Sequence, residues 1–145
     1  MTRRPLNLLL ADDSPSDLLL IEMALDSTGL PYELQTALDG LEVMEALQDR
    51  LRASHLPDFL LLDLNMPRMG SLEVLDVLKV DEDLRSIPVI VLTTSRAEND
   101  IWRSYDLHAN AYIPKPVSVS EFVDVIRSLG NFWFTKAALP PDHKP

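Results

Sequence analysis

Six polar side chains stand where this chain passes from an apolar run to a turn. Asp12-Asp13 follows Leu6 to Ala11, Asp63 follows Phe59 to Leu62, Thr93-Thr94 closes Pro88 to Leu92, and Lys115 comes just after Ala109 to Ile113. Brought together, the three aspartates would repel one another by several kcal/mol in all, at an effective dielectric of about 20. A hard divalent cation relieves such crowding, and an all-oxygen, partly hydrated site suits Mg²⁺ or Mn²⁺. A carboxylate can also attack phosphorus to give an aspartyl phosphate. That product adds negative charge to an acidic site, so it needs the metal, a cation and a hydroxyl donor around it. Lys115 and Thr93 are suited to the last two tasks.

Taken singly, each of these residues has an ordinary structural use. Asp12 and Asp13 could cap a helix, although Ser14 already supplies a cap. Asp63 could be a turn carboxylate, Lys115 a solvated loop lysine, and Thr93-Thr94 the polar end of a strand. Their common position at strand ends is what singles them out.

The elements that would gather them alternate regularly. Leu6 to Ala11 reads as a first strand, followed by Ser14-Pro15 as a helix cap with proline at the first helical position. That helix runs through Leu18, Leu19, Ile21 and Leu25 towards Gly29. Glu33 to Leu38 reads as a second strand. Asp39-Gly40-Leu41-Glu42 resembles a capping box, opening a helix with Leu41, Met44, Leu47 and Leu51 at helical spacing. Phe59 to Leu62, an unbroken apolar run after Pro57-Asp58, suits a strand buried on both faces. A third helix follows from about Leu72 to Val80, with Leu72, Leu75 and Leu78 inward. Pro88 to Thr93 is the fourth strand, Ser95 opens a fourth helix, Ala109 to Ile113 is a fifth strand, and Ser118 opens a fifth helix.

Five strand–helix units predict an α/β fold, a flavodoxin-like doubly wound five-stranded parallel sheet of order 2-1-3-4-5 with five helices. In that order strands one and three are neighbours, and ligands bind where the crevice opens at their carboxyl ends. Residues 1–130 read as one domain and 131–145, with Pro140-Pro141, as a tail without a separate output domain.

Composition narrows the function. With 13 basic against 23 acidic side chains the formal charge is -10, which argues against a nucleic-acid surface. There is no cysteine, so thiolate metal sites and thiol nucleophiles are excluded. The start MTRRPLNLLLADD is too short in apolar residues for a signal peptide or a membrane span, so the expected location is cytoplasmic. None of the four glycines builds a phosphate-binding loop, so the phosphoryl group must arrive already activated.

At Asp12-Asp13, Asp63-Leu64-Asn65-Met66-Pro67, Thr93 and Lys115-Pro116 the sequence resembles the receiver domain of two-component response regulators, over about Leu6 to Leu129. The resemblance implies that Asp63 accepts a phosphoryl group from a sensor histidine kinase. It also implies that Asp12, Asp13, Asp63 and the backbone carbonyl of Asn65 hold Mg²⁺, and that Thr93 and Lys115 contact the phosphoryl oxygens. Tyr112 takes the family's switch-aromatic position. One departure is the glycine after the Met-Pro turn: Gly70 stands one place early. Narrower details, among them Val91 to Ser95 and Phe132-Trp133, resemble the stand-alone regulators that accompany bacterial phytochromes, which implies a phytochrome as the kinase.

Expected output is a shift in surface state and a protein contact, with a homodimer using Trp102, Trp133 and Phe134; Trp133 also fits the inner face of the last helix. The expected protein is a signalling phosphoacceptor that assists its own phosphorylation and dephosphorylation. Other classes stay open: a shuttle or sink in a phosphorelay, or an interaction module that works without phosphorylation. An aspartate-dependent phosphohydrolase would want an acid two places after the nucleophile, where Asn65 stands.

Overall fold

The computed structural model describes residues 5–27, 29, 31–63, 70–93 and 111–114, with 120, 121, 124, 127 and 128 near the carboxyl end. The elements in order are β1 (Leu6–Ala11), α1 (Pro15–Asp26), β2 (Tyr32–Ala37), α2 (Gly40–Arg52), β3 (Phe59–Leu62), α3 (Ser71–Val80), β4 (Val89–Thr93) and β5 (Ala111–Pro114). The strands form one sheet of order β2-β1-β3-β4-β5, parallel throughout. This is the expected doubly wound fold. The expected fourth helix lies outside the described residues; of the fifth, the described positions 120, 121, 124, 127 and 128 are helical.

Alternation along the central strands divides the core into two layers. Leu9, Ala11, Leu60, Leu62, Val89 and Val91 point to the side covered by α2 and α3, where they meet Val43, Leu47, Val74, Leu75 and Leu78. Leu6, Leu8, Leu10, Phe59, Leu61, Ile90 and Leu92 point to the other side, against Ile21, Ala24 and Leu25 of α1. Both faces are thus apolar, which is why β3 reads as an unbroken run and β1 as one interrupted only by Asn7.

Caps fix where the helices begin, and so where the strand ends open. Ser14 caps α1 by accepting from the Asp17 amide at 3.4 Å, with Pro15 next. Asp39 caps α2, its Oδ1 accepting from the Glu42 amide at 2.9 Å. The return bond of the expected capping box is different: Glu42 Oε2 accepts from the Leu38 amide at 3.3 Å. The expected inner face of α2 also needs correction. Leu41 is 42% exposed, while Val43, Ala46 and Leu47 are buried. The cap at Asp39 sets the phase, and that phase turns position 41 outward whatever its apolarity. On α1 the same holds for Leu19, which is 58% exposed.

Strand limits shift by one or two residues from expectation. β2 is Tyr32–Ala37, so Leu38 falls after the strand; β4 begins at Val89; β5 is Ala111–Pro114. α2 ends in a Schellman turn: the Ser54 amide donates to Leu51 at 3.1 Å and the His55 amide to Arg50 at 2.9 Å. Ser54 takes the left-handed position with φ 56, one that usually falls to glycine.

Candidate functional site

The register of β1 and β3 places the carboxylates. Ala11 pairs with Leu62, and the Asp63 amide donates to the Ala11 carbonyl at 2.9 Å. On the other flank the Asp12 amide donates to Ala37 at 3.1 Å. Asp12 and Asp63 therefore leave adjacent strands side by side, at the carboxyl edge where open α/β sheets bind ligands. Asp12 Oδ1 accepts from the Ser14 amide at 2.9 Å, which turns the chain into α1 and orients the carboxyl group.

One carboxylate oxygen from each of Asp12, Asp13 and Asp63 lies within 4.8 Å of the others. Asp12 and Asp63 are buried and Asp13 is exposed, so the cluster is open towards solvent on the Asp13 side. Two like charges at such a separation repel by roughly 3 kcal/mol at an effective dielectric of about 20. Three hard oxygen donors so close together fit a small divalent cation, with solvent free to complete its shell from the open side.

The other expected site residues fall differently. Thr93 ends β4 and Tyr112 is the second residue of β5, with Val91 paired to Tyr112 and Thr93 to Pro114. The backbone therefore puts Thr93 on the same edge as the acidic cluster. Asn65, Lys115, Trp102, Trp133 and Phe134 lie outside the described residues. The early glycine, Gly70, caps α3 at an ordinary φ of -74. A Cβ there would meet nothing nearer than Glu73 at 3.9 Å, so its place reflects no local need for glycine.

A second buried polar group went unread in the sequence, at the opposite end of the same two strands. The Asn7 amide donates to Asp58 Oδ2 at 2.7 Å, and the Asp58 amide donates to the Asn7 carbonyl at 2.7 Å. Arg50 Nη1 donates to Asn7 Oδ1 at 2.6 Å and its Nε to Gln35 Oε1 at 2.7 Å. Because arginine can only donate, the Asn7 amide is oriented with its nitrogen towards His55 Nε2, 2.7 Å away. The ring proton of His55 then sits on Nδ1. Burial lowers the Arg50 pKa, and Glu33 and Asp58 act against that. The readable signal was Asn7 as the one polar residue in an apolar strand, and Asp58 just ahead of another.

Among the described residues no helix is long and apolar enough to cross a membrane.

The parallel sheet and the acidic edge define a flavodoxin-like α/β protein with a cation-ready site at its switch point. The sequence matches the response regulator receiver domain family over residues 8–127, and the chain belongs to that family. It is 37% identical over 138 residues to the response regulator Rcp1 of Synechocystis sp., spanning 94% of each chain. Its fold matches the phosphorylated cyanobacterial phytochrome response regulator RcpA with a TM-score of 0.89 and 39% identity, covering 94% of this chain and 99% of that one. The Mn²⁺-bound form of Rcp1 matches with a TM-score of 0.88 and 37% identity, covering 94% and 100%. Receiver domains are signalling proteins phosphorylated on an aspartate by histidine kinases, and bind Mg²⁺ or Mn²⁺ in an acidic pocket.

Proposed function

We propose that Asp63 is the phosphoacceptor, in a receiver domain spanning residues 1–130 followed by a tail over 131–145. The observation that carries this reading is the approach of Asp12, Asp13 and Asp63 oxygens to within 4.8 Å at the carboxyl ends of β1 and β3. Asp63 stands on the strand next to Asp12 and is itself buried, so its attacking oxygen is fixed by the sheet and little reorganisation precedes reaction.

Asp12, Asp13, Asp63 and the Asn65 carbonyl would hold Mg²⁺ or Mn²⁺. When bound, the ion offsets charge on the carboxylates and on the incoming phosphoryl oxygens. An Asp63 oxygen attacks phosphorus; the P–N bond of a phosphohistidine breaks, and its electron pair stays on the imidazole nitrogen, which takes a proton. Lys115 and Thr93 bind the phosphoryl oxygens as charge builds there. Tyr112 follows Thr93 inward and carries the change to the surface. Attack of water on the same phosphorus returns the Asp63 carboxylate and releases inorganic phosphate, so the chain assists both directions.

The donor is a sensor histidine kinase of phytochrome type in the cytoplasm. Similarity to Rcp1 and to the phytochrome regulator RcpA supports this. The output is a homodimer whose contacts include Trp102, Trp133 and Phe134, a reading that rests on the sequence. Transfer of labelled phosphate from an autophosphorylated phytochrome kinase tests the assignment. Label should reach the native chain and not Asp63→Asn, whereas equal labelling of both would move the acceptor elsewhere.

A further inference from the structure

We infer that the outer edge of β2 pairs antiparallel with the same edge of a second copy of this chain, joining the two sheets across a two-fold axis at Leu34. Bonds from β1 fix which way the strand faces. The Leu6 amide donates to the Pro31 carbonyl and the Asp12 amide to the Ala37 carbonyl, both at 3.1 Å. Leu6 to Ala11 runs in step with Tyr32 to Ala37. Glu33, Gln35 and Ala37 therefore bond to β1, while Tyr32, Leu34 and Thr36 turn their N–H and C=O groups outward. β2 ends the sheet, so among the described residues no strand lies beside those groups.

Sheet edges are commonly blunted by shortness, proline, a bulge or lysine. β5, at the other edge, is 4 residues long and ends in Pro114. β2 is 6 residues long, keeps step with β1 without a bulge, and carries neither proline nor lysine. Its sequence also suits it to itself. In antiparallel pairing centred on Leu34, Leu34 faces Leu34, and Tyr32 faces Thr36 of the second copy. Each strand then offers an outward donor and acceptor from Tyr32, Leu34 and Thr36, and every one meets its complement. On the α1 side, the two Leu34 side chains meet beside Tyr32, extending the apolar layer on which both residues already pack. On the α2 side, Glu33 falls opposite Gln35 of the second copy, whose Oε1 accepts from Arg50 Nε at 2.7 Å. Burial disfavours the Arg50 cation, and Glu33 of its own chain favours it. The second copy brings another carboxylate to that cation, and the two-fold repeats the contact.

Size sets the strength of this contact. β2 spans about 20 Å, and a strip one strand wide falls short of the roughly 800 Å² per partner that a stable complex buries. The formal charge of -10 on each chain also opposes self-association. The pairing is therefore transient, formed at high local concentration and physiological salt, where charges more than about 8 Å apart are screened. Antiparallel pairing sends the two acidic edges to opposite ends of the joined sheet, so each site stays open. The contact uses none of the residues proposed above for the homodimer and does not depend on Asp63 being the acceptor.

Hydrogen exchange followed residue by residue on the full chain tests this, at about 1 mM and after roughly hundredfold dilution. In the dilute sample the Leu34 and Thr36 amides should exchange freely, and the Glu33 and Gln35 amides, bonded to β1, should be protected. At the higher concentration exchange at Leu34 and Thr36 should slow by about threefold as mass action fills the dimer, with Glu33 and Gln35 unchanged. Thr36→Pro removes an outward N–H and no bond to β1, and should abolish the change at Leu34. Gln35→Glu sets a carboxylate opposite Glu33 on both sides of the axis and should weaken dimerisation by about tenfold. Adding Glu33→Gln should restore it, and this charge exchange serves if the proline variant fails to fold. Equal exchange of Leu34 and Thr36 at both concentrations would overturn the inference. So would slowing that persists in Thr36→Pro, or slowing that does not alternate along β2. Self-association by light scattering with exchange in β2 unmoved would overturn it as well, placing the contact elsewhere.

Discussion

The two ends of β1 and β3 handle buried charge in opposite ways. At the amino end, Asn7, Asp58, Arg50, His55 and Gln35 match donors to acceptors, and Asp58 offsets the charge of Arg50. At the carboxyl end the same strands bring Asp12, Asp13 and Asp63 together. A buried charge that has found its complement within the fold is costly to strip of its partner. Like charges held side by side cost stability and instead prepare a site for a cation and for chemistry. One pair of strands thus carries a structural clamp at one end and a functional centre at the other.

If this contrast is right, removing a carboxylate has opposite signs at the two ends. The largest effect is expected for Asp58→Ala, which strips the Asn7 amide of its acceptor and leaves Arg50 without a buried countercharge. It should cost about 3 kcal/mol of stability, read by urea unfolding. Asp13→Ala should instead raise the thermal midpoint in EDTA, because it thins the cluster of like charges. A loss of stability in both variants would break the comparison.

Metal sharpens it further. Saturating Mg²⁺, at about a hundred times its dissociation constant, should stabilise the native chain by roughly 2.7 kcal/mol. Asp13→Ala should lose most of that response and Asp58→Ala should keep it, as followed by thermal unfolding with and without EDTA.

Two smaller effects belong to the amino end. Ser54→Gly should gain roughly 1 kcal/mol by relieving the left-handed backbone that closes α2, measured by the same urea titration. Tyr32 is the smallest. Burial, then the hydrogen bond and charge of Asp26, then the charge of Glu22, raise its hydroxyl pKa well above the ordinary 10.0. The folded state therefore holds this proton more tightly than the unfolded chain does. The contribution is fully present below about pH 10 and is lost as pH rises further. Tyr32→Phe should flatten that alkaline decline in the unfolding midpoint and change little at neutral pH.

What the sequence made legible follows from distance along the chain. β1 and β3 were readable because burial on both faces leaves an apolar run, unbroken in β3 and interrupted only by Asn7 in β1, and Asp12-Asp13 and Asp63 because they close such runs. The amino-end clamp was not, since its bonds join residues 43, 48 and 51 positions apart. Nothing local marks Arg50 or His55 as partners of Asn7. Leu41 and Leu19 were placed inward or left unassigned by residue type, whereas helix phase, set by the cap, decides the matter. No glycine marks the end of α2 in the sequence; Ser54 takes the left-handed position there. β5 was expected to end at Ile113, one residue short, because proline argues against a strand, yet Pro114 closes this one as its last residue, paired with Thr93.

The central claim is that Asp63 carries the phosphoryl group. Intact mass after incubation with Mg²⁺ and acetyl phosphate, followed by reductive trapping and peptide mapping, tests it directly. The native chain should gain one phosphate, trapped at Asp63, and Asp63→Asn should gain none. A phosphate mapped to another residue, or an equal gain in Asp63→Asn, would contradict it, as would no adduct on a folded native chain that also fails to bind beryllofluoride.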